Sequence, residues 1–129
     1  MAHPNEETVR TGYEAFSRGD MDTLRGLFVD NIVWHFPGRS QLAGDHRGVD
    51  AVLGFFGQVM ELTNGTFQVE LHDVVANDNH TVGLQVARGQ RKGKNLDDHQ
   101  ALVFHFRDGK VAEVWQLSEN LYANDDFFS

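Results

Sequence analysis

Cysteine is absent from this 129-residue chain, and proline occurs only twice. Without cysteine there is no disulfide bond, thiol nucleophile, iron–sulfur cluster or cysteine-ligated zinc site, which fits a reducing compartment. Basic residues are also few, because 11 Lys and Arg stand against 19 Asp and Glu, a formal net charge of -8 at pH 7. This balance opposes binding to a phosphate backbone, so we expect no nucleic-acid partner.

Long apolar runs are missing as well. No run approaches the roughly 18 residues of a membrane span, and the first ten residues lack the basic and apolar regions of a signal peptide. We therefore expect a cytoplasmic protein with no membrane partner. The chain also has no Walker or dinucleotide glycine pattern, no Gly-x-Ser-x-Gly elbow and no His-Glu-x-x-His motif, so we expect no cofactor.

Aromatic and aliphatic residues, in contrast, are plentiful. Hydrophobic residues make up 40% of the chain and include 10 Phe and 2 Trp, which is enough to close a real core. At a typical length of about 100 to 200 residues per domain, the sequence predicts a single domain over 1–129.

Apolar spacing predicts helices first and strands afterwards. Val9, Tyr13 and Phe16 recur one turn apart, Asp20 suits the cap of a short second helix, and a third apolar stripe begins after Asp50. Runs rich in β-branched and aromatic residues predict strands. The predicted helices span 5–18, 21–29 and 50–62, a loop runs from 37 to 48, and the predicted strands span 32–36, 66–76, 80–90, 96–107 and 110–118. This order indicates an α+β fold with an antiparallel meander.

Alternation along the strands assigns side chains to faces. In the third long strand Leu102 and Phe104 share a face toward the helices. In the last strand Val111, Trp115 and Leu117 lie opposite Val114, Gln116 and Ser118, so both faces carry apolar residues. We predict that the outer face, with Trp115, forms a homodimer.

Several short motifs occur in a fixed order along the chain. They are Tyr13-x-Ala15-Phe16 before Gly19-Asp20, Val33-Trp34-x-x-Pro37-Gly38, Leu42-Ala43-Gly44-x-x-Arg47-Gly48, and Phe106-Arg107-Asp108-Gly109-Lys110-Val111 with Glu113-x-Trp115. Together they resemble the SnoaL-like branch of the nuclear transport factor 2-like (NTF2-like) superfamily, which includes ketosteroid isomerases, limonene epoxide hydrolases and polyketide cyclases. The resemblance implies a cone-shaped fold: three N-terminal helices on a curved antiparallel sheet, an apolar cavity between them, and dimerisation through the convex face.

The sequence lacks the acidic residues that the best-known enzymes of this superfamily use in catalysis. Phe36 stands where the resemblance to ketosteroid isomerases implies the general base, Phe104 where it implies the neutral acid, and Gly12 at the place of their helix-one tyrosine. Val114, Gln116 and Ser118 occupy the inward positions at which epoxide hydrolases carry an Asp. We therefore expect neither steroid isomerisation nor epoxide hydrolysis.

Two residues are candidate acid–base groups. Asp98 is the only carboxylate on the inward parity of its strand and, beside Gln100, is a candidate general base at the mouth of the cavity; the alternative is a solvated strand entrance. His46, in a loop beside Asp45, is a candidate proton shuttle at the rim, or else simply an exposed loop residue. His35 lies on the opposite parity to Trp34 and Phe36, so we expect its side chain to point away from the cavity. His99 and His105 are too far apart to bind one metal, so no metal site is expected.

The predicted ligand site is an apolar cavity with uncharged polar groups. Its candidate ligand-binding residues are Tyr13, Trp34, Phe36, Phe55, Phe56, Gln100, Phe104, Gln116 and Ser118. For any one of the aromatic residues plain core packing is the simpler alternative, and for the polar ones the alternative is hydrogen bonding to each other or to water. The leading hypothesis is a protein that binds a small hydrophobic, carbonyl-bearing molecule, with cofactor-free isomerase or cyclase chemistry as an option. The alternatives are a non-catalytic binding module and a dimeric interaction module.

Overall fold

Four helices pack on one six-stranded sheet in the computed structural model, which describes residues 2–129. The helices are α1 (Pro4–Ser17), α2 (Met21–Leu27), α3 (Val49–Leu62) and α4 (Leu121–Phe128). The strands are β1 (Phe28–Phe36), β2 (Gly44–Arg47), β3 (Gln68–Ala76), β4 (Thr81–Arg91), β5 (Lys94–Arg107) and β6 (Lys110–Ser118). None of the described helices is long and apolar enough to cross a membrane.

The first two helices begin where the sequence predicts. His3 caps α1 by accepting from the backbone N–H of Asn5 at 3.1 Å, and Asp20 caps α2 by accepting from the N–H of Thr23, also at 3.1 Å. These bonds satisfy backbone donors that have no partner within the helix. Gly19, at a φ of 69°, provides the left-handed turn that lets α2 follow α1 directly.

The sheet is mixed, and this corrects part of the sequence prediction. Its strand order is β2-β1-β6-β5-β4-β3, with β3 to β6 forming the expected antiparallel meander. β1 joins β6 in parallel, because the chain returns to the sheet through α3 and the long strands rather than through a hairpin. The α+β class and the NTF2-like arrangement of helices on a curved sheet are confirmed.

Three segments differ from their predicted structure. β1 begins at Phe28, directly after α2, rather than at residue 32, and Gly44–Arg47, predicted as loop, forms β2 on its edge. The C-terminal segment, for which the sequence predicts no helix, forms α4 and buries Phe127 and Phe128. The prediction therefore missed elements whose stability comes from tertiary contacts rather than from local periodicity.

A bulge in β6 moves one residue to the opposite face. Phe106 pairs with Val111 and His105 with Glu113, so Ala112 has no partner on β5. Val111 is therefore buried on the inner face, the face covered by the helices, and not on the outer face with Trp115. Beyond the bulge Val114 and Gln116 are buried while Leu117 is exposed, as alternation predicts.

Candidate ligand-binding site

A cavity of about 90 Å³ lies between the inner face of the sheet and the helices. All four helices and five of the six strands contribute to its wall. All six aromatic residues that the sequence assigns to the cavity line it: Tyr13, Trp34, Phe36, Phe55, Phe56 and Phe104. Among the lining residues of the described chain, only Tyr13 carries an ionisable side chain.

Strand parity and helix periodicity bring these rings together. Trp34 and Phe36 alternate with His35 on β1, and the consecutive Phe55 and Phe56 lie on the side of α3 that faces the sheet. The Trp34 and Phe56 rings meet edge to face with centroids 5.0 Å apart, and Phe36 meets Phe55 at 5.3 Å. These are favourable geometries for aromatic pairs, so the wall is well packed around the remaining space.

Three glutamines from neighbouring strands form one polar cluster at the cavity, here called the glutamine cluster. Gln85 Nε2 and Gln116 Nε2 both donate to Gln100 Oε1, at 2.7 and 2.9 Å. Gln85 and Gln100 face each other across β4 and β5, and Gln116 pairs with Leu102, two residues further along β5. All three are buried, so each hydrogen bond is made away from bulk water.

Two cavity side chains donate into this cluster. Tyr13 Oη donates to Gln85 Oε1 at 2.5 Å, and Trp34 Nε1 donates to Gln116 Oε1 at 3.0 Å. Burial raises the pKa of Tyr13 above its ordinary value, so the hydroxyl stays protonated at neutral pH and acts as a donor. Tyr13 fits over β4 because residue 83 is glycine, where a Cβ would come within 2.9 Å of its hydroxyl oxygen.

Asp98 accepts the hydrogen bonds that end this network. Its Oδ2 accepts from Gln100 Nε2 at 3.0 Å, Ser118 Oγ at 2.5 Å and Asn124 Nδ2 at 3.5 Å, and its Oδ1 accepts from the Asn120 N–H at 3.3 Å. Asp98 is only 3% exposed, so the alternative of a solvated strand entrance is wrong. The expected position at the mouth is also wrong: α4 covers the start of β5, and Asp98 lies behind Gln100, outside the cavity lining.

His46 does not join Asp98 at the site. It lies on β2, not in a loop, where its Nε2 contacts the Leu42 carbonyl at 2.8 Å and its ring stacks on Phe55 at 4.2 Å. Asp45 points to the other face, as adjacent strand residues do, and contacts His35 instead. Among residues 2–129 no group of His, Asp or Glu is arranged to hold a metal ion.

Three polar residues that line the cavity, Thr8, Gln85 and Asn124, are not among those predicted from the sequence. Gln85 could have been found, because it alternates with Gly83 and Ala87 on the inward parity of β4. Asn124 could not, since it depends on an unpredicted helix. Ser118, expected at the cavity, lies behind it and binds Asp98.

The glutamine cluster retains hydrogen-bond donors. Each amide nitrogen carries two hydrogens, and Gln85, Gln100 and Gln116 each use one of them within the network. Three N–H groups therefore remain at the polar end of an otherwise apolar cavity. Such a set can receive a neutral acceptor, such as a ketone oxygen, without any charged group.

Comparisons with known proteins agree with this architecture. The SnoaL-like domain family matches residues 9–114. An uncharacterized protein of Mycobacterium tuberculosis is 31% identical over 124 residues, 95% of each chain.

Two solved structures carry the same fold. Bal32a, from a soil-derived mobile gene cassette, superposes with a TM-score of 0.95 and 42% identity, covering 98% of this chain and 97% of its own. IdmH from Streptomyces antibioticus, described as a candidate polyketide cyclase, superposes with a TM-score of 0.76 at 24% identity, covering 94% of this chain and 97% of its own. Because the family model matches residues 9–114, the chain belongs to the SnoaL-like family, and its fold is NTF2-like.

Proposed function

We propose that this protein binds a small hydrophobic molecule with a carbonyl group, whose oxygen accepts hydrogen bonds from the glutamine cluster. The observation that carries the proposal is the combination of an aromatic cavity with three uncommitted amide N–H groups at its polar end. Phe36 and Phe104 contribute apolar wall where related enzymes carry acids. The ligand's ring would contact Trp34, Phe55 and Phe56.

The cavity must widen to accept such a ligand. Its volume is about 90 Å³, whereas an engineered cavity of about 150 Å³ in another protein accepts benzene. The lining residues that keep partial exposure lie on α1, on α2 and near the start of β3; they include Tyr13, Leu27 and Phe67. We therefore propose that the ligand enters between these elements and displaces Tyr13 from Gln85.

The binding proposal is tested with two probes of matched shape, acetophenone and α-methylstyrene, in which a methylene replaces the ketone oxygen. The ratio of their dissociation constants is compared between the wild type and Gln85→Met, which keeps the apolar stem but removes one donor. We expect the preference for acetophenone to fall by about 2- to 12-fold in the variant. This range corresponds to the net free energy that one hydrogen bond contributes. The exposed Gln68→Met serves as the matched control and should leave the ratio unchanged.

Two results would contradict the proposal. One is an acetophenone preference that is the same in wild type and Gln85→Met. The other is unchanged binding of both probes in Leu102→Phe, because a larger side chain at this lining position should fill the cavity and exclude them.

Cofactor-free isomerase or cyclase catalysis is the second candidate function. It is favoured by the buried carboxylate of Asp98, which lies directly behind two lining side chains, Gln100 and Asn124. If Gln100 moved aside, the carboxylate could take a proton from the carbon next to the carbonyl, and the enolate oxygen would accept from the remaining amide N–H groups. The proton would then return to carbon.

Hydrogen–deuterium exchange separates this candidate from binding alone. Acetophenone in D₂O exchanges its methyl protons only through the enolate, so proton NMR reports removal of the α-proton directly. Exchange that is faster than in buffer, and is lost in Asp98→Asn, would establish the catalytic candidate. A wild type that binds acetophenone but leaves the exchange rate at the buffer value would establish a binding module.

We also propose that two copies of the chain pair through the outer sheet face. Cross-strand neighbours place Leu84, Ala101 and Leu117 in one row, and Val82, Val103 and Trp115 in the next. Leu84 is 38% and Leu117 53% exposed, so two leucines of one row, on either side of Ala101, present apolar surface to solvent. His99 and Glu119 border this apolar centre, so the face has the polar rim typical of an interface.

A further inference from the structure

The side-chain oxygen of Asn124 is an acceptor without a hydrogen-bond partner in the described structure. Asn124 is fully buried and lines the cavity, yet its Oδ1 contacts no donor. Its orientation is fixed by Nδ2, which donates to Asp98 Oδ2 at 3.5 Å. The opposite orientation would place the amide oxygen against a carboxylate oxygen. Buried acceptors are rarely left unpaired, so this atom points to a missing donor.

Several independent contacts hold α4 in the position that presents Asn124. The Asn120 N–H at the start of the helix donates to Asp98 Oδ1 of β5 at 3.3 Å, and Asp125 Oδ1 accepts from the Arg39 N–H at 2.9 Å. The buried Arg91 donates to the Phe127 carbonyl at 3.1 Å. Because anchors lie on both sides of Asn124, its side chain cannot easily turn toward solvent for a partner.

We infer that the end of the cavity next to α4 is a subsite for a ligand hydroxyl group, with Asn124 Oδ1 as its acceptor. This inference rests on the proposed binding function and narrows the ligand to a hydroxy ketone. Gln100 and Asn124 both donate to the same oxygen of Asp98, so their amide groups lie side by side. A ligand whose carbonyl accepts from Gln100 therefore carries its hydroxyl a short distance away on the same face.

The test uses meta-hydroxyacetophenone and meta-methylacetophenone, which differ by a hydroxyl and a methyl group of similar size. The meta isomer is required because an ortho hydroxyl donates to its own ketone. Dissociation constants are measured for both probes with the wild type, with Asn124→Leu and with the control Tyr122→Leu. Tyr122 lies on the same helix but is 90% exposed.

We expect the wild type and Tyr122→Leu to share one preference for the hydroxyl probe. Asn124→Leu should reduce that preference by about 2- to 12-fold, since the ratio cancels differences in probe hydration and isolates one hydrogen bond. An equal ratio in all three proteins, with the methyl probe still bound, would overturn the subsite but leave the binding function intact. The same equal ratio is expected if the partner of Asn124 Oδ1 is only a water molecule and not a ligand hydroxyl. Failure of both probes to bind the wild type would overturn both proposals.

A measurement on the wild type does not depend on how the variant folds. The side-chain carbonyl carbon of Asn124 is followed by NMR during titration with each probe. We expect its chemical shift to move with meta-hydroxyacetophenone and to move far less with meta-methylacetophenone. Equal shifts with the two probes would contradict a hydrogen bond to this oxygen.

Discussion

The carboxylate of Asp98 is the final acceptor of the hydrogen bonds at the polar end of the cavity. Tyr13 and Trp34 donate to glutamines, the glutamines donate to Gln100, and Gln100 donates to Asp98. Every donor in this series of hydrogen bonds points in the direction of Asp98. The carboxylate therefore determines which amide atoms, N–H or C=O, face the cavity. At the scale of residues, Asp98 is thus an organiser of the lining rather than part of it.

Replacing this acceptor should destabilise the protein. In Asp98→Asn an N–H₂ group takes the place of one acceptor oxygen and faces donors, so we expect the free energy of unfolding to fall by about 1 to 3 kcal/mol. Urea denaturation measures the loss. The adjacent Asp97→Asn is the matched control, since Asp97 is exposed, and should change stability by less than about 0.5 kcal/mol. Equal effects of the two substitutions would refute the organising role.

Two glycines should respond to the same substitution in opposite directions. Gly38 has a φ of 93°, and a Cβ there would overlap Asp125 Oδ1, the acceptor that ties α4 to the loop after β1. We expect Gly38→Ala to lower the free energy of unfolding by about 1 to 3 kcal/mol. Gly57 lies on the exposed side of α3 with no atom near its missing Cβ, so Gly57→Ala should raise stability by about 0.5 to 1 kcal/mol. Thermal unfolding that shifts both variants the same way would contradict this.

At the scale of elements, a row of rings crosses the outer face of the sheet. His35 on β1 stacks on Trp115 of β6 with centroids 5.1 Å apart, and His105 of β5 meets the other side of Trp115 at 4.7 Å. The His35 ring also bridges Asp45 and Glu113, each at 2.6 Å. The central strands β1 and β6, and the edge strand β2, are therefore joined by a titratable group.

This bridge predicts a pH dependence of stability. Burial lowers the pKa of His35, but hydrogen bonds to Glu113 and Asp45 raise it by more, so the folded-state pKa stands above the ordinary histidine value. The stabilisation is fully present below the unfolded pKa of about 6.5 and is lost as the pH rises through the folded value. The difference in unfolding free energy between wild type and His35→Gln should therefore shrink from pH 6 to pH 9, measured by urea denaturation. If this difference in unfolding free energy stays constant or grows over this range, His35 does not bind its proton more tightly in the folded protein than in the unfolded one.

The elements that the sequence predicts well are those with their own periodicity. The stripes of α1 and α3 identify those helices, and the alternation of β1, β5 and β6 is strong enough to place Trp34, Gln100, Phe104 and Gln116 on the inner face. β2 has only four residues, and α4 has a weak apolar pattern whose burial comes from contacts with β5 and the loop after β1. The position of Asn124, and the burial of Asp98 beneath α4, are consequences of this docking and could not be inferred from local sequence.

At the scale of the whole molecule, the proposed dimer and the proposed ligand site use opposite faces of one sheet. The inner positions of β4, β5 and β6 carry the glutamine cluster, and the outer positions of β6 carry Leu117 and Trp115. Trp115 is partly covered by His35 and His105, so Leu117 is the better position at which to test association.

A charge at this position should dissociate the dimer. We expect wild-type protein to sediment as a dimer and Leu117→Glu as a monomer, because the glutamate would be buried without a partner in the interface. Tyr122→Glu introduces the same charge at a residue that is 90% exposed on α4 and should leave the dimer intact. A monomeric wild type, or equal behaviour of the two variants in analytical ultracentrifugation, would refute the proposed interface.

The central claim is that the glutamine cluster receives a carbonyl oxygen inside an aromatic cavity. The most direct measurement is a proton–nitrogen NMR spectrum that resolves the side-chain amides of Gln85, Gln100 and Gln116 during titration with acetophenone. We expect saturable shifts of these three NH₂ pairs and no shift of the exposed Gln68. Saturable binding that leaves all three glutamine amides unmoved would contradict it.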